Sequence, residues 1–316
     1  MSVRHPLQER SASGAAFALA AAVVAALLLL APRTTLWDRD ESRFARSAVE
    51  MLSSGDFLVP TFAGELRPHK PPLLPWLMAL SASVLGPTEL AFRLWSALAH
   101  GASVLLTFSA GRRLASGRVP LLGAALLAVS PLALLEGAAA TADAVLLAGL
   151  TGVLAVFADA ATGGVRTRHL VLGALASSVA QLAKGPVAFA LPLLGLGGAL
   201  LLAPGAFRER RRLAALLAAS SILGLLPVLG WGLLADAATN GRLLSAAIGT
   251  HVIGRTLAPM EGHGSLLLVG PLYYGAILLV GFSPFTLFLP SAWARVRSGG
   301  SLAPGARAVL LGSVLA

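Results

Sequence analysis

Along this chain, apolar runs of about twenty residues are separated by short polar turns, with two polar stretches, 33–72 and 235–264, longer than the rest. A helix needs about that many apolar residues to cross a hydrocarbon core roughly 30 Å thick. The runs are mostly Ala, Leu, Gly and Val, without the two-residue alternation of barrel strands, so helices are expected. The pattern predicts spans at about 14–32, 90–111, 119–136, 142–160, 169–184, 186–203, 213–234 and 265–290, and a ninth starting near 305 that is cut off at Ala316. Residues 71–86 are also apolar, but sixteen residues led by two prolines suit a helix lying in the interface. The predicted fold class is an all-α integral membrane bundle, a single transmembrane domain over 1–316 truncated at its C-terminus.

Composition agrees. Hydrophobic residues make up 56% of the chain and charged residues 12%, with mean hydropathy +0.81, against about 45–50% apolar and 25% charged in an ordinary globular domain. The formal net charge of +10 does not indicate nucleic-acid binding, because the basic residues are scattered over short loops with no soluble basic face. The absence of cysteine excludes disulfides and thiolate chemistry. The first apolar run is longer than a signal-peptide core of about 7–15 residues and has no small-residue cleavage pattern after it, so a retained span is expected.

Basic clusters orient the chain. Arg4 and Arg10 place the N-terminus in the cytoplasm, and the clusters at Arg112, Arg113 and Arg118, Arg166 and Arg168, Arg208 to Arg212, and Arg295 and Arg297 are all placed there too. Eleven of the fourteen acids then fall on the outer side or its boundary, leaving Glu9, Asp159 and Glu209 inside. The expected outer face carries a first loop over 33–89 that includes the interfacial helix and a second over 235–264.

Candidate chemistry gathers in the first loop. Asp40 and Glu41 follow the first span directly, and two carboxylates there can cap the next helix or act as a base toward an acceptor hydroxyl or amine. Arg43 projects from the same short helix, suited to hold a phosphate beside the carboxylate. Lys70, stiffened by Pro71 and Pro72, is either a headgroup anchor or a fixed ammonium for a lipid phosphate. Asp143 begins a span, where capping is the plain alternative, and Lys184 stands at an outer turn against the positive-inside trend. His69, His251 and His263, with Glu261, are candidates for a divalent metal, the one cofactor the sequence leaves open, although their spacing matches no tight zinc motif. No Walker loop, dinucleotide glycine fingerprint or H-E-x-x-H is present.

The runs W-D-R-D-E-S-R-F-A, A-V-E-M-L-S-S-G-D-F-L-V-P and H-K-P-P-L, followed by T-A-D-A, L-A-K-G-P and H-V-I-G-R before P-L-Y-Y, resemble the lipid-linked sugar transferases. The match is to the bacterial aminoarabinose transferases that modify lipid A, related to the protein O-mannosyltransferases. This resemblance implies the multi-span GT-C fold, a polyprenyl-phosphate sugar donor and inverting transfer on the periplasmic face of the bacterial inner membrane. The acceptor would be lipid A, another envelope glycan or a protein. It also implies Asp40 as catalytic aspartate, Lys70 as donor-phosphate ligand, Arg255 as a second one, and Asp143 and Lys184 as cavity positions. His69 stands where the aminoarabinose enzymes usually have glutamate. The alternatives are a non-enzymatic polyprenyl-lipid carrier or flippase, disfavoured by span centres that are almost wholly apolar, and a structural scaffold.

Overall fold

The structure, a computed structural model, describes residues 6–247, 269–297 and 307–309. Among these it is helical almost throughout: α1 (Pro6–Leu30), α2 (Arg39–Ser54), α3 (Leu73–Leu85), α4 (Glu89–Leu114), α5 (Val119–Val129), α6 (Pro131–Ala138), α7 (Ala142–Gly163) and α8 (Thr167–Lys184). They are followed by α9 (Pro186–Pro192), α10 (Gly198–Leu202), α11 (Arg210–Ala238), α12 (Arg242–Ala246), α13 (Val269–Gly281) and α14 (Leu289–Arg297). The sole sheet among the described residues is a two-stranded hairpin, β1 (Thr61–Phe62) against β2 (Glu65–Leu66).

Among the described residues, four helices are long and apolar enough to cross a membrane: Ser11–Arg33, Glu89–Leu114, Ala142–Gly163 and Arg210–Ala238. Two spans expected to be continuous are broken, each at a proline. The 119–136 span bends by 57° between α5 and α6, where Ser130 is extended and Pro131 opens the next helix. The 265–290 span is replaced, over its described part, by segments 275–281 and 285–294 at 105°, with Pro284 at the break. Between α9 and α10 a π-helical turn at Leu193–Gly197 follows Pro192. Proline lacks the amide proton a helix needs and crowds the preceding residue, so length and hydropathy alone overestimate continuity. Helix α3, at 13 residues, is too short to span, as its sequence suggested.

Helix α7 is central, packed on α4 along one side and α8 along the other, with α11 against α8. Its approach to α8 requires small residues: a Cβ on Gly149 would come within 2.7 Å of the Ala180 Cβ. α7 and α8 are antiparallel, tied at one end by Asp143 and Lys184 and at the other by Asp159 with Arg168 and His169. This defines two ends of the bundle. The loop 33–72, the 139–143 turn and Gly185 gather at the first; Arg113 and Asp159 pair at the second. The apolar cluster that carries the first end joins Phe44, Ala45 and Ala48 of α2 to Leu74, Met78 and Ala79 of α3, Phe92 of α4, and Val145 and Leu146 of α7.

Candidate functional site

The run Asp38-Arg39-Asp40-Glu41 divides its carboxylates between two tasks. Asp38 is the N-cap of α2, extended in backbone, and accepts from the Asp40 amide at 2.6 Å; Glu41, three residues on, accepts from the Asp38 amide at 3.3 Å. This reciprocal capping box satisfies the open amides of the first turn. Asp40 is left to face outward. Its Oδ2 accepts from Lys70 Nζ at 2.7 Å, and its Oδ1 lies 3.6 Å from Arg43 Nη1, one turn along the helix.

Lys70 reaches Asp40 because the chain between them doubles back. Gly55 ends α2 in the left-handed conformation (φ 74°), which only a residue without Cβ adopts without penalty. Ala63 and Gly64, both at positive φ, then turn the hairpin. Glu50 holds that turn to α2, accepting from the Ala63 amide at 2.9 Å, the Gly64 amide at 3.4 Å and the Thr61 hydroxyl at 2.6 Å, with Arg46 at 2.7 Å. The Arg67 amide donates to the Pro60 carbonyl at 2.9 Å, carrying the chain back over α2. There the Phe44 ring is a platform for two cations, with Arg67 Cζ 4.5 Å and Lys70 Nζ 5.0 Å from its centroid.

Burial works to raise the pKa of Asp40, but the hydrogen bond and charge of Lys70, with the charges of Arg67 and Arg43, outweigh it and hold Asp40 below its ordinary 3.8. Arg67 is pushed down to about 10, chiefly by burial and further by Arg43, against the opposing pull of Asp40. One carboxylate thus sits among three cations: an arrangement able to hold an anion while keeping an ionised base beside it.

Glu41, offered by its sequence position as a second catalytic carboxylate, has a different setting. It is fully buried. Its Oε1 accepts from Arg93 Nε at 2.9 Å and the Ala140 amide at 2.7 Å, and its Oε2 from Arg93 Nη2 at 3.1 Å and the Trp37 amide at 3.0 Å. Burial would raise its pKa, but Arg93 and the Ala140 and Asp38 amides together lower it. Arg93, in the first turns of α4, donates also to the Ala31, Thr34 and Thr35 carbonyls. The pair therefore ties the end of α1, the start of α2, α4 and the α6–α7 turn together. Arg93 is the residue that sequence reasoning passed over; its signal was an arginine inside an apolar run, costly there unless paired.

Asp143 in the first turn of α7 and Lys184 at the end of α8, separate candidates by sequence, form an ion pair. The turn after Lys184 abuts the first loop: a Cβ on Gly185 would lie 3.8 Å from the Pro71 ring. Thr141 stands at the N-cap of α7, but its side chain donates to Glu136 at 2.7 Å rather than to the helix amides. His69 precedes Lys70, and among the described residues no group of three or more His, Asp or Glu side chains is placed to hold a metal ion. Arg255, His251, Glu261 and His263 lie outside the described residues.

Residues 69–231, just over half of the chain, match the dolichyl-phosphate-mannose-protein mannosyltransferase family; the segment begins one residue before Lys70, and Asp40 lies ahead of it. The undecaprenyl phosphate-alpha-4-amino-4-deoxy-L-arabinose arabinosyl transferase of Edwardsiella ictaluri is 30% identical over 184 residues, 57% of this chain and 33% of that enzyme. Two crystal structures of ArnT from Cupriavidus metallidurans, apo and bound to undecaprenyl phosphate, superpose with TM-scores of 0.75 and 0.73 at 22% identity. Each superposition covers 94% of this chain and 53% or 58% of the solved one. The fold is therefore the GT-C membrane fold, while the chain spans about a third of the curated relative's length and just over half of the solved structures.

Proposed function

This chain belongs to the dolichyl-phosphate-mannose-protein mannosyltransferase family, and on that premise we propose that it forms the donor-binding domain of an inverting glycosyltransferase that uses a polyprenyl-phosphate sugar. The observation that carries the proposal is the Asp40–Lys70 pair with Arg43 and Arg67 beside it. In the free protein Lys70 is held by Asp40, which keeps that carboxylate a weak base. A donor phosphate draws Lys70 to itself. Asp40 then loses its strongest partner and becomes basic enough to take the proton of the acceptor as it attacks the anomeric carbon. Cations aimed at the departing phosphate stabilise the charge that develops there. Asp143 and Lys184, beside Pro71, complete the wall of the donor cavity.

The end bearing this site is the periplasmic face, the opposite, arginine-rich end is cytoplasmic, and the acceptor is lipid A, another envelope glycan or a protein. The name of the Edwardsiella relative and the lipid in the Cupriavidus structure favour an undecaprenyl-linked donor. The test is Asp40→Asn in the full-length protein, assayed for transfer from a polyprenyl-phosphate sugar. Turnover should fall by about 10²–10⁴-fold, the usual loss of a general base, with binding of a short-chain polyprenyl phosphate retained. Near-normal turnover would remove Asp40 from the mechanism.

A further inference from the structure

Arg67 is 7% exposed. Its Nη1 is sealed from solvent and has no hydrogen-bond partner in the structure. A buried guanidinium with an unused donor is costly, and nothing in local folding demands one, since the backbone amide of Arg67 already makes the hairpin contact to Pro60. Lys70 and Arg43 both contact Asp40 directly, whereas Arg67 influences it through charge alone while its guanidinium lies over the Phe44 ring. Three cations around one carboxylate leave a surplus of two positive charges. From this surplus and the unpartnered Nη1 we infer that Arg67 is a specificity-determining ligand of the donor-phosphate site that reads the second negative charge of the leaving phosphate. The inference rests on the function proposed above.

In the transfer, the acceptor oxygen forms its bond to the anomeric carbon and its proton passes to Asp40. The bond from the anomeric carbon to the phosphate oxygen breaks, and its electron pair stays with the phosphate. A phosphodiester carrying one negative charge thereby becomes a phosphomonoester carrying two. Lys70 meets the charge present from the start, and Arg67 meets the charge that appears as the bond breaks. An interaction stronger in the transition state than in the bound donor accelerates the chemistry rather than merely tightening binding.

The test compares two probes on the full-length protein: a short-chain polyprenyl phosphate and its methyl phosphodiester, titrated at pH 8, where the monoester is dianionic. The wild-type protein should prefer the monoester. Arg67→Gln should weaken monoester binding by about 10- to 150-fold, the range of a charge-assisted hydrogen bond, and diester binding only a few-fold. Arg67→Lys, which keeps the charge but loses the planar fork, should restore part of the preference and serves if the glutamine variant does not fold. Equal loss for both probes, or for neither, would overturn the inference. The control is Lys70→Gln: if it weakens both probes while Arg67→Gln weakens neither, only the role of Arg67 fails, and if both variants bind as the wild type does, the proposed site fails with it.

Discussion

Asp40 is where the chemistry proposed for this protein is most sensitive to its surroundings. Burial alone would make it a stronger base; the three cations prevail and depress its pKa. A carboxylate whose pKa is lower in the folded chain adds stability above its unfolded pKa, and that stability is lost as pH falls through the folded value. The acid limb of kcat/KM, which reports ionisations of the free enzyme, should therefore lie below pH 3.8. Lys70→Gln removes the largest influence opposing burial and should shift that limb upward. A limb near pH 6 in the wild-type enzyme, or one unmoved in Lys70→Gln, would show that Lys70 does not control Asp40.

Among the elements, α2 matters most because it presents Asp40, and its seat is the Glu41–Arg93 pair. Both partners are almost wholly out of solvent. Removing one member of such a pair leaves a buried, uncompensated charge, at about 3–5 kcal/mol. Arg93→Met should be destabilising by that order in detergent-solubilised protein. Glu41→Leu together with Arg93→Met should be less damaging than the two single losses added, since the pair fails as a unit. Full recovery is not expected, because the Trp37 and Ala140 amides would lose their acceptor. Additive losses in thermal unfolding would mean the two side chains act independently.

For the whole molecule, the testable feature is the separation of its two ends. The chain contains no cysteine, so single cysteines report accessibility without background. Ser53 and Asn240 are exposed near the end that holds Asp40, and Ser116 is exposed at the other. A membrane-impermeant thiol reagent applied to intact spheroplasts should label cysteines at Ser53 and Asn240 and spare one at Ser116. Equal labelling at Ser53 and Ser116 would overturn the orientation and the periplasmic site built on it.

The sequence by itself determined the membrane-type helical bundle, the placing of most helices, the short helix after Pro72 and the loop in which charge gathers. These follow from local hydropathy and proline chemistry, which need no partner to be read. It also marked Asp40, Lys70, Asp143 and Lys184 individually. Their pairing was decided by the tertiary structure alone, because Asp40 and Lys70 meet only through the Gly55 cap and the hairpin held by Glu50, and Asp143 and Lys184 only through the antiparallel packing of α7 and α8. The same holds for the contrast between Asp40 and Glu41. Adjacent residues on a helix point about 100° apart, so one turned toward the cations of the loop and the other into the bundle, where Arg93 of a distant helix meets it. No local pattern carries that difference, since it depends on which face of α2 the rest of the chain covers.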